Sequence, residues 1–220
     1  MVLPVKKNSA FFVPYFIFLL LGGIILIVKS ETSIELFINS YHSPATDFFF
    51  KYWTLIGLGW LILPVALSLC FVRLRYVIMA AAAFLLTVII NDSLKFAVGA
   101  PRPAEVFARL HHTLYFVPGV TMDYWNSFPS GHSAVSFCLF CLLALIVSRK
   151  SLKFIFFMAA FTVAYSRMYL SEHFLIDVYT GSIIGVISAF ICYRTLFNLP
   201  WLNKFSKIDK PVINLHGGHA

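Results

Sequence analysis

Residues 76–94 read YVIMAAAAFLLTVIINDSL, an apolar run that turns polar only at Asn91, Asp92 and Ser93. A stretch of about 18 apolar residues is long enough to cross a hydrocarbon core roughly 30 Å thick. Comparable runs lie near 11–28, 53–72, 132–148, 154–171 and 177–197. Of the 220 residues 60% are hydrophobic and 12% charged, too little polar surface to cover a soluble domain of this size. The expected fold is therefore all-α: a polytopic membrane protein with six transmembrane helices in one bundle, a single domain over residues 1–220. Lys6 and Lys7 precede the first run as they would in a signal peptide. That run is too long for a signal-peptide core and lacks a small-residue cleavage site, so it is read as a retained first helix.

The net charge of +8 raises the question of an anionic partner such as nucleic acid. Its distribution answers otherwise. With alternating spans, Lys6, Lys7, Arg73, Arg75, Arg149, Lys150, Lys153, Arg194, Lys204, Lys207 and Lys210 share one side. The positive-inside rule makes that side cytoplasmic, with both termini inside. No nucleic-acid partner is expected; the partner read from this distribution is the bilayer. Lys29, Lys51, Lys95, Arg102, Arg109 and Arg167 fall outside. The sequence fixes no oligomeric state.

All four cysteines, Cys70, Cys138, Cys141 and Cys192, lie within expected spans. Cys138 and Cys141 form a C-x-x-C, but no nearby cation lowers a thiol pKa, so they read as small buried side chains. Gly181 and Gly185, flanked by Ser182 and Ser188, form a G-x-x-x-G that reads as close packing within the bundle. His216 and His219 near the C-terminus read as a tail and not as a metal site. The first outer loop, 29–52, interleaves Ile34, Leu36, Phe37, Ile38 and Phe48–Phe50 with polar groups, as an amphipathic surface segment would. The segment 99–131 carries Pro101, Pro103, Pro118, Gly119, Pro129 and Gly131, which exclude one continuous helix.

Polar residues at membrane depth cost free energy, so their clustering is informative. Lys95 and Arg102 flank the run Phe96–Pro101; Ser130, Gly131 and His132 open the fourth span; Ser166, Arg167, His173 and Asp177 join the fifth span to the sixth. Alternating spans place all three groups on the outer side. Lys95, Arg102 and Arg167 suit a tetrahedral oxyanion. The Pro-Ser-Gly-His turn adds backbone N–H groups at a helix start, with Gly131 allowing close approach and Ser130 a hydroxyl. His173 and Asp177, four apart, are expected on one helix face, where the carboxylate orients the imidazole. His132, on another helix, is free to deliver a proton. Taken singly, each feature has an ordinary explanation: an interfacial histidine, snorkelling cations, a plain turn. Their convergence on one side favours a site.

These three runs resemble the three-part signature of the type-2 phosphatidic acid phosphatase superfamily, K-x6-RP, PSGH and SR-x5-H-x3-D. The match holds at Lys95, Arg102 and Pro103, at Pro129–His132, and at Ser166, Arg167, His173 and Asp177. The resemblance implies that His173 attacks phosphorus to give a phosphohistidine, with Asp177 its orienting partner and His132 the acid for the leaving group. It implies that Lys95, Arg102, Ser130, Gly131 and Arg167 hold the phosphoryl oxygens, and that no metal or other cofactor takes part. Glu172 is given no role.

The expected reaction is hydrolysis of a phosphate monoester or diphosphate on a membrane lipid. Candidate substrates are phosphatidylglycerophosphate, undecaprenyl diphosphate, phosphatidic acid and lipid A phosphate. A lipid phosphotransferase using the same phosphohistidine is the first alternative and an anion transporter the second. Transport would favour broken or charged helices near mid-membrane, whereas these cations sit at span ends. The aromatic loop 104–128 is expected to shape head-group selectivity.

Overall fold

The computed structural model of the protein describes residues 4–197, and every regular element among them is helical. A short turn, α1 (Pro4–Lys7), leads into α2 (Ser9–Val28), followed by α3 (Glu31–Asn39) and α4 (Pro44–Trp53). Two 3-10 turns, Thr54–Gly57 and Gly59–Leu61, pass into α5 (Ile62–Cys70) and then α6 (Leu74–Val98). The rest comprises α7 (Pro103–Arg109), α8 (Gly131–Ile146), α9 (Lys150–Tyr169) and α10 (Leu175–Phe197). The tail histidines His216 and His219 and the cations Lys204, Lys207 and Lys210 lie outside the described residues.

Among the described residues three helical runs are long and apolar enough to cross a membrane: Ser9–Val28, Leu74–Arg109 and Leu175–Phe197. On α2 the side chains Ile17, Leu20, Leu21, Ile24 and Ile27 are exposed, as lipid-facing residues would be. The expected span 53–72 is not one straight helix. Pro44–Gly57 and Gly59–Cys70 form a pair bent by 61°, which would make a fourth crossing if taken together. Gly57 and Gly59 mark the break, where the chain passes close to its neighbours: a Cβ on Gly57 would lie 2.7 Å from Val163 and 2.9 Å from His132. The apolar α8 has 16 residues and α9 carries Lys150, Lys153 and Arg167 in its 20, so neither qualifies by length and hydropathy alone.

The amphipathic reading of 29–52 corresponds to α3 and α4, each with a serine cap. Ser30 Oγ accepts the N–H of Ser33, and Ser43 forms a reciprocal capping box with Thr46 behind Pro44. α4 is tied to the end of α9 through the buried Asp47. Its carboxylate accepts from the Tyr169 hydroxyl at 2.5 Å and the Tyr115 hydroxyl at 2.8 Å, with His42 Nδ1 also 2.8 Å away.

The centre of the bundle is the α8–α10 pair, packed by α6, α9 and α2. α8 buries Ser133, Ala134, Ser136, Cys138, Cys141 and Ala144, small side chains that let a neighbour approach. α10 meets them with Gly181 and Gly185: a Cβ on Gly181 would lie 2.5 Å from the Ser130 carbonyl oxygen, and one on Gly185 2.2 Å from that of Ala134. The G-x-x-x-G thus serves packing inside the chain, and Cys138 and Cys141 are buried free thiols.

The helix ends sort into two groups. At one end, buried Lys153 bonds to Asn8, and Arg75 donates to the Phe197 carbonyl at 2.9 Å, closing the C-terminus of α10. At the other lie the end of α6, the start of α8, the end of α9 and the start of α10. Because the Gly185 contact is with backbone, Gly185→Ala is expected to destabilise the folded protein by about 1–3 kcal/mol. Thermal unfolding in detergent measures this, and an unchanged midpoint would mean that the two helices are not packed as described.

Candidate active site

α6 ends where Gly99 adopts a left-handed conformation, φ 57°, and Pro101 and Pro103 prevent its continuation. Lys95 sits in its last turn. Arg102 is the extended residue that caps α7, and its backbone is pinned by the Tyr124 carbonyl at 2.8 Å. Its Nε donates to the Trp125 carbonyl at 3.0 Å, so the guanidinium is aimed by the irregular segment before α8.

α8 opens at Ser130, whose Oγ accepts from the Ser133 hydroxyl at 3.0 Å. Gly131 and His132 form the first turn, so this helix start presents its free N–H groups beside the cations. The Ser130 N–H donates to the Asp177 carbonyl at 3.0 Å, which joins the second motif to the third.

The third motif is a turn between two helices. Arg167 is buried near the end of α9, α9 stops at Tyr169, and Ser171 takes a left-handed conformation with φ 54°. His173 lies in this turn and not on a helix, so the expectation of a shared helical face with Asp177 is corrected. α10 begins only at Leu175, leaving Asp177 in its first turn. There the Asp177 carboxylate accepts the Phe174 N–H at 2.9 Å, reaching back over the helix start as the acidic half of a capping box does. The same oxygen stands 3.4 Å from His173 Nδ1. The pairing expected from the four-residue spacing is therefore present, on a different backbone.

The structure brings the predicted residues together. His173 is 1% exposed, and its imidazole is held well below the usual histidine range, first by burial and then by Arg167, Arg102 and Lys95. It is neutral at physiological pH, as a nitrogen nucleophile must be. His132 also lies within the field of these three cations and of His173. Arg167 Nη1 donates to Thr54 Oγ1 at 2.9 Å, while its buried Nε has no hydrogen-bond partner among the described residues. A buried guanidinium N–H left open in this way is suited to an incoming oxyanion.

Three groups escaped the sequence reading. Glu172 bonds to Arg102 and lies 3.3 Å from Arg167, a buried carboxylate between two guanidinium groups. Ser127 Oγ donates to Asp177 at 2.5 Å and stands 3.4 Å from His173 Nδ1. Asp123 pairs with Arg102 at 3.2 Å from the exposed rim. Glu172 adjoins His173 in sequence, which was the available hint; Ser127 and Asp123 carry no local signal. Among the described residues no group of His, Cys, Asp and Glu is arranged to hold a metal ion.

Two openings meet the site. An outer mouth of about 540 Å³ is lined by Asp92, Lys95, Arg102, Asp123, Tyr124 and Trp125. A second cavity of about 200 Å³ runs between the 3-10 turns, α6 and α8, from Phe84 and Val88 to Gly131 and His132.

Comparison with known proteins is consistent with this geometry. The chain is 29% identical over 174 residues to the lipid A 4'-phosphatase of Bacteroides thetaiotaomicron, covering 74% of this chain and 75% of that protein. It is 32% identical over 143 residues to lipid phosphate phosphatase 1 of Arabidopsis thaliana, covering 54% of this chain and 44% of the plant protein. Among solved structures, Aquifex aeolicus LpxE superposes with a TM-score of 0.66 at 29% identity, over 74% of this chain and 93% of that one. The first transmembrane PAP2 type phosphatidylglycerolphosphate phosphatase from Bacillus subtilis shares the fold, with a TM-score of 0.62 at 21% identity over 94% and 99% of the two chains. Residues 76–201, which hold all three polar runs, match the PAP2 superfamily, and the chain belongs to that family.

Proposed function

We propose that the protein is a membrane lipid phosphate phosphatase that works through a phosphohistidine at His173, without a metal. The observation that carries this reading is the buried, neutral His173 set among Lys95, Arg102 and Arg167, with Asp177 on its Nδ1 side. A proton on Nδ1, facing that carboxylate, leaves the Nε2 lone pair free to attack phosphorus. The P–N bond forms as the bond to the lipid oxygen breaks. His132 gives its proton to that leaving oxygen. Water then attacks the phosphohistidine, His132 takes a proton from it, and breaking of the P–N bond restores neutral His173 and releases phosphate. Lys95, Arg102 and Arg167, with the Ser130 hydroxyl and the backbone at Gly131, stabilise the charge on the phosphoryl oxygens.

The relatives' names support a lipid phosphate as substrate, and so does the second cavity, which gives a lipid tail a course from His132 between the broken second span and α6. The proposed topology has six crossings, made by α2, the bent α4–α5 pair, α6, α8, α9 and α10. Both termini are cytoplasmic and the site faces the exterior of a bacterial inner membrane. Lipid A phosphate heads the candidate substrates, because the relative matched over three quarters of its length is named for it. Phosphatidylglycerophosphate, undecaprenyl diphosphate and phosphatidic acid follow. That Asp123, Tyr124 and Trp125 line the mouth supports a role for loop 104–128 in selecting among head groups.

The test is phosphate release by the purified protein from these four lipids, with chelator present. Release that survives chelation and falls to background in His173→Ala is expected, and the rank order names the substrate. Phosphate appearing on a second lipid, with little free phosphate, would instead make the protein a transferase. Ser127→Ala is expected to lower kcat by about tenfold to a hundredfold with little change in KM, because it frees Asp177 to move. Unchanged kcat would remove Ser127 from the site.

A further inference from the structure

α3 lies before the family-matched residues, and it is not merely a surface helix. Glu31, Glu35 and Asn39 follow one another at intervals of four, so they form one stripe along it. The stripe faces the turn that carries His173. Glu31 lies beside the backbone of Leu175 and Ile176 at the start of α10. Glu35, 1% exposed, lies beside the Ser171 hydroxyl. Asn39 Nδ2 donates to Ser171 Oγ at 3.0 Å, and the same amide exchanges hydrogen bonds with the Tyr115 backbone at 2.8 and 2.9 Å. Three side chains of one helix thus grip residues on both sides of His173. Ser171 needs such a grip, since its φ of 54° is unfavourable for a residue with a side chain.

Glu35 is unusual within this stripe. The groups facing it are the Ser171 hydroxyl from the α9–α10 turn, Glu31 on its own helix and Asp177 from α10, with no cation among them. Glu35 Oε1 is buried without a partner among the described residues. A carboxylate in that position would be a dry, uncompensated charge beside two other carboxyl groups. A neutral carboxylic acid both donates and accepts, and can hold a hydroxyl without that cost.

We infer that α3 is a brace for the nucleophile, in which Glu35 and Asn39 are positioning residues that hold the Ser171 turn and so aim His173. The inference deepens the lipid phosphatase reading and rests on it for its kinetic test. Burial, with Glu31 and Asp177, pushes the Glu35 carboxyl up to about 8 against the opposing Ser171 hydrogen bond. The folded-state value lies above the ordinary 4.5. Its stabilising effect is therefore complete at acid pH below that ordinary value and is lost as pH rises through about 8. The brace loosens on the alkaline side.

The experiment measures kcat and KM of the full-length protein from about pH 6 to about pH 10, with thermal unfolding alongside, for wild type, Glu35→Gln, Glu35→Ala and Asn39→Ala. Glu35→Gln, which stays neutral, is expected to keep kcat within about twofold near neutrality and to lack part of the alkaline fall seen in wild type. Comparing those two profiles isolates Glu35 from other titrating groups, Lys95 among them. Glu35→Ala and Asn39→Ala are expected to lose about tenfold or more in kcat with KM nearly unchanged. Folded alanine variants with wild-type kcat would overturn the brace, and so would a Glu35→Gln profile identical to wild type, even if the alanine variants do not fold. If wild type released phosphate from no lipid, the phosphatase reading would fail instead. The brace would then be judged by orthovanadate protection against unfolding, where a pH dependence unchanged by Glu35→Gln would overturn it.

Discussion

Two guanidinium groups held out of water around one buried carboxylate, with Asp123 reaching one of them from the rim, set the terms for this structure. Glu172 is shared by Arg102, at the start of α7, and Arg167, near the end of α9. Burying such a group of charges is costly, and Lys95 adds a third cation to it. That cost is tolerable only if the elements around it are fixed well enough that the groups cannot turn away to solvent. Backbone carbonyls of the α7–α8 segment hold Arg102, Thr54 from the 3-10 turn holds Arg167, and the α9–α10 turn holds Glu172. An incoming phosphate would give these cations a further partner.

The approach of α8 and α10 has the same purpose on a larger scale. Gly181 brings α10 against the Ser130 carbonyl, and the Ser130 N–H in turn binds the carbonyl of Asp177. The helix start that offers N–H groups and the carboxylate that faces His173 therefore move as one piece. Small residues let two backbones touch where larger side chains would keep them apart.

Residues at the helix ends were legible because charge is rare in this chain, so Lys95, Arg102, Arg167 and the two histidines stood out against apolar runs. Their convergence was the expectation drawn from alternating spans. Composition did not reveal the bend at Gly57–Gly59, since an apolar stretch reads the same whether straight or broken. The spacing of His173 and Asp177 matched a helix that begins only after His173, and the contact survived because Asp177 reaches back over the helix start. Ser127 was invisible because its role exists only through a tertiary contact with Asp177. The polar residues of α3 read as the wet face of a surface segment, whereas Glu35 is buried. Periodicity separates two faces of a helix but does not say which one meets solvent.

The proposed entry of a lipid tail through the cavity between the 3-10 turns, α6 and α8 would govern how turnover responds to substrate. An enzyme fed sideways from a lipid film samples surface density, not concentration in water. Its saturation is then set by the mole fraction of the phosphorylated lipid among its neighbours. Adding inert lipid at constant total substrate dilutes the reactant in two dimensions and slows the reaction. Adding water does neither.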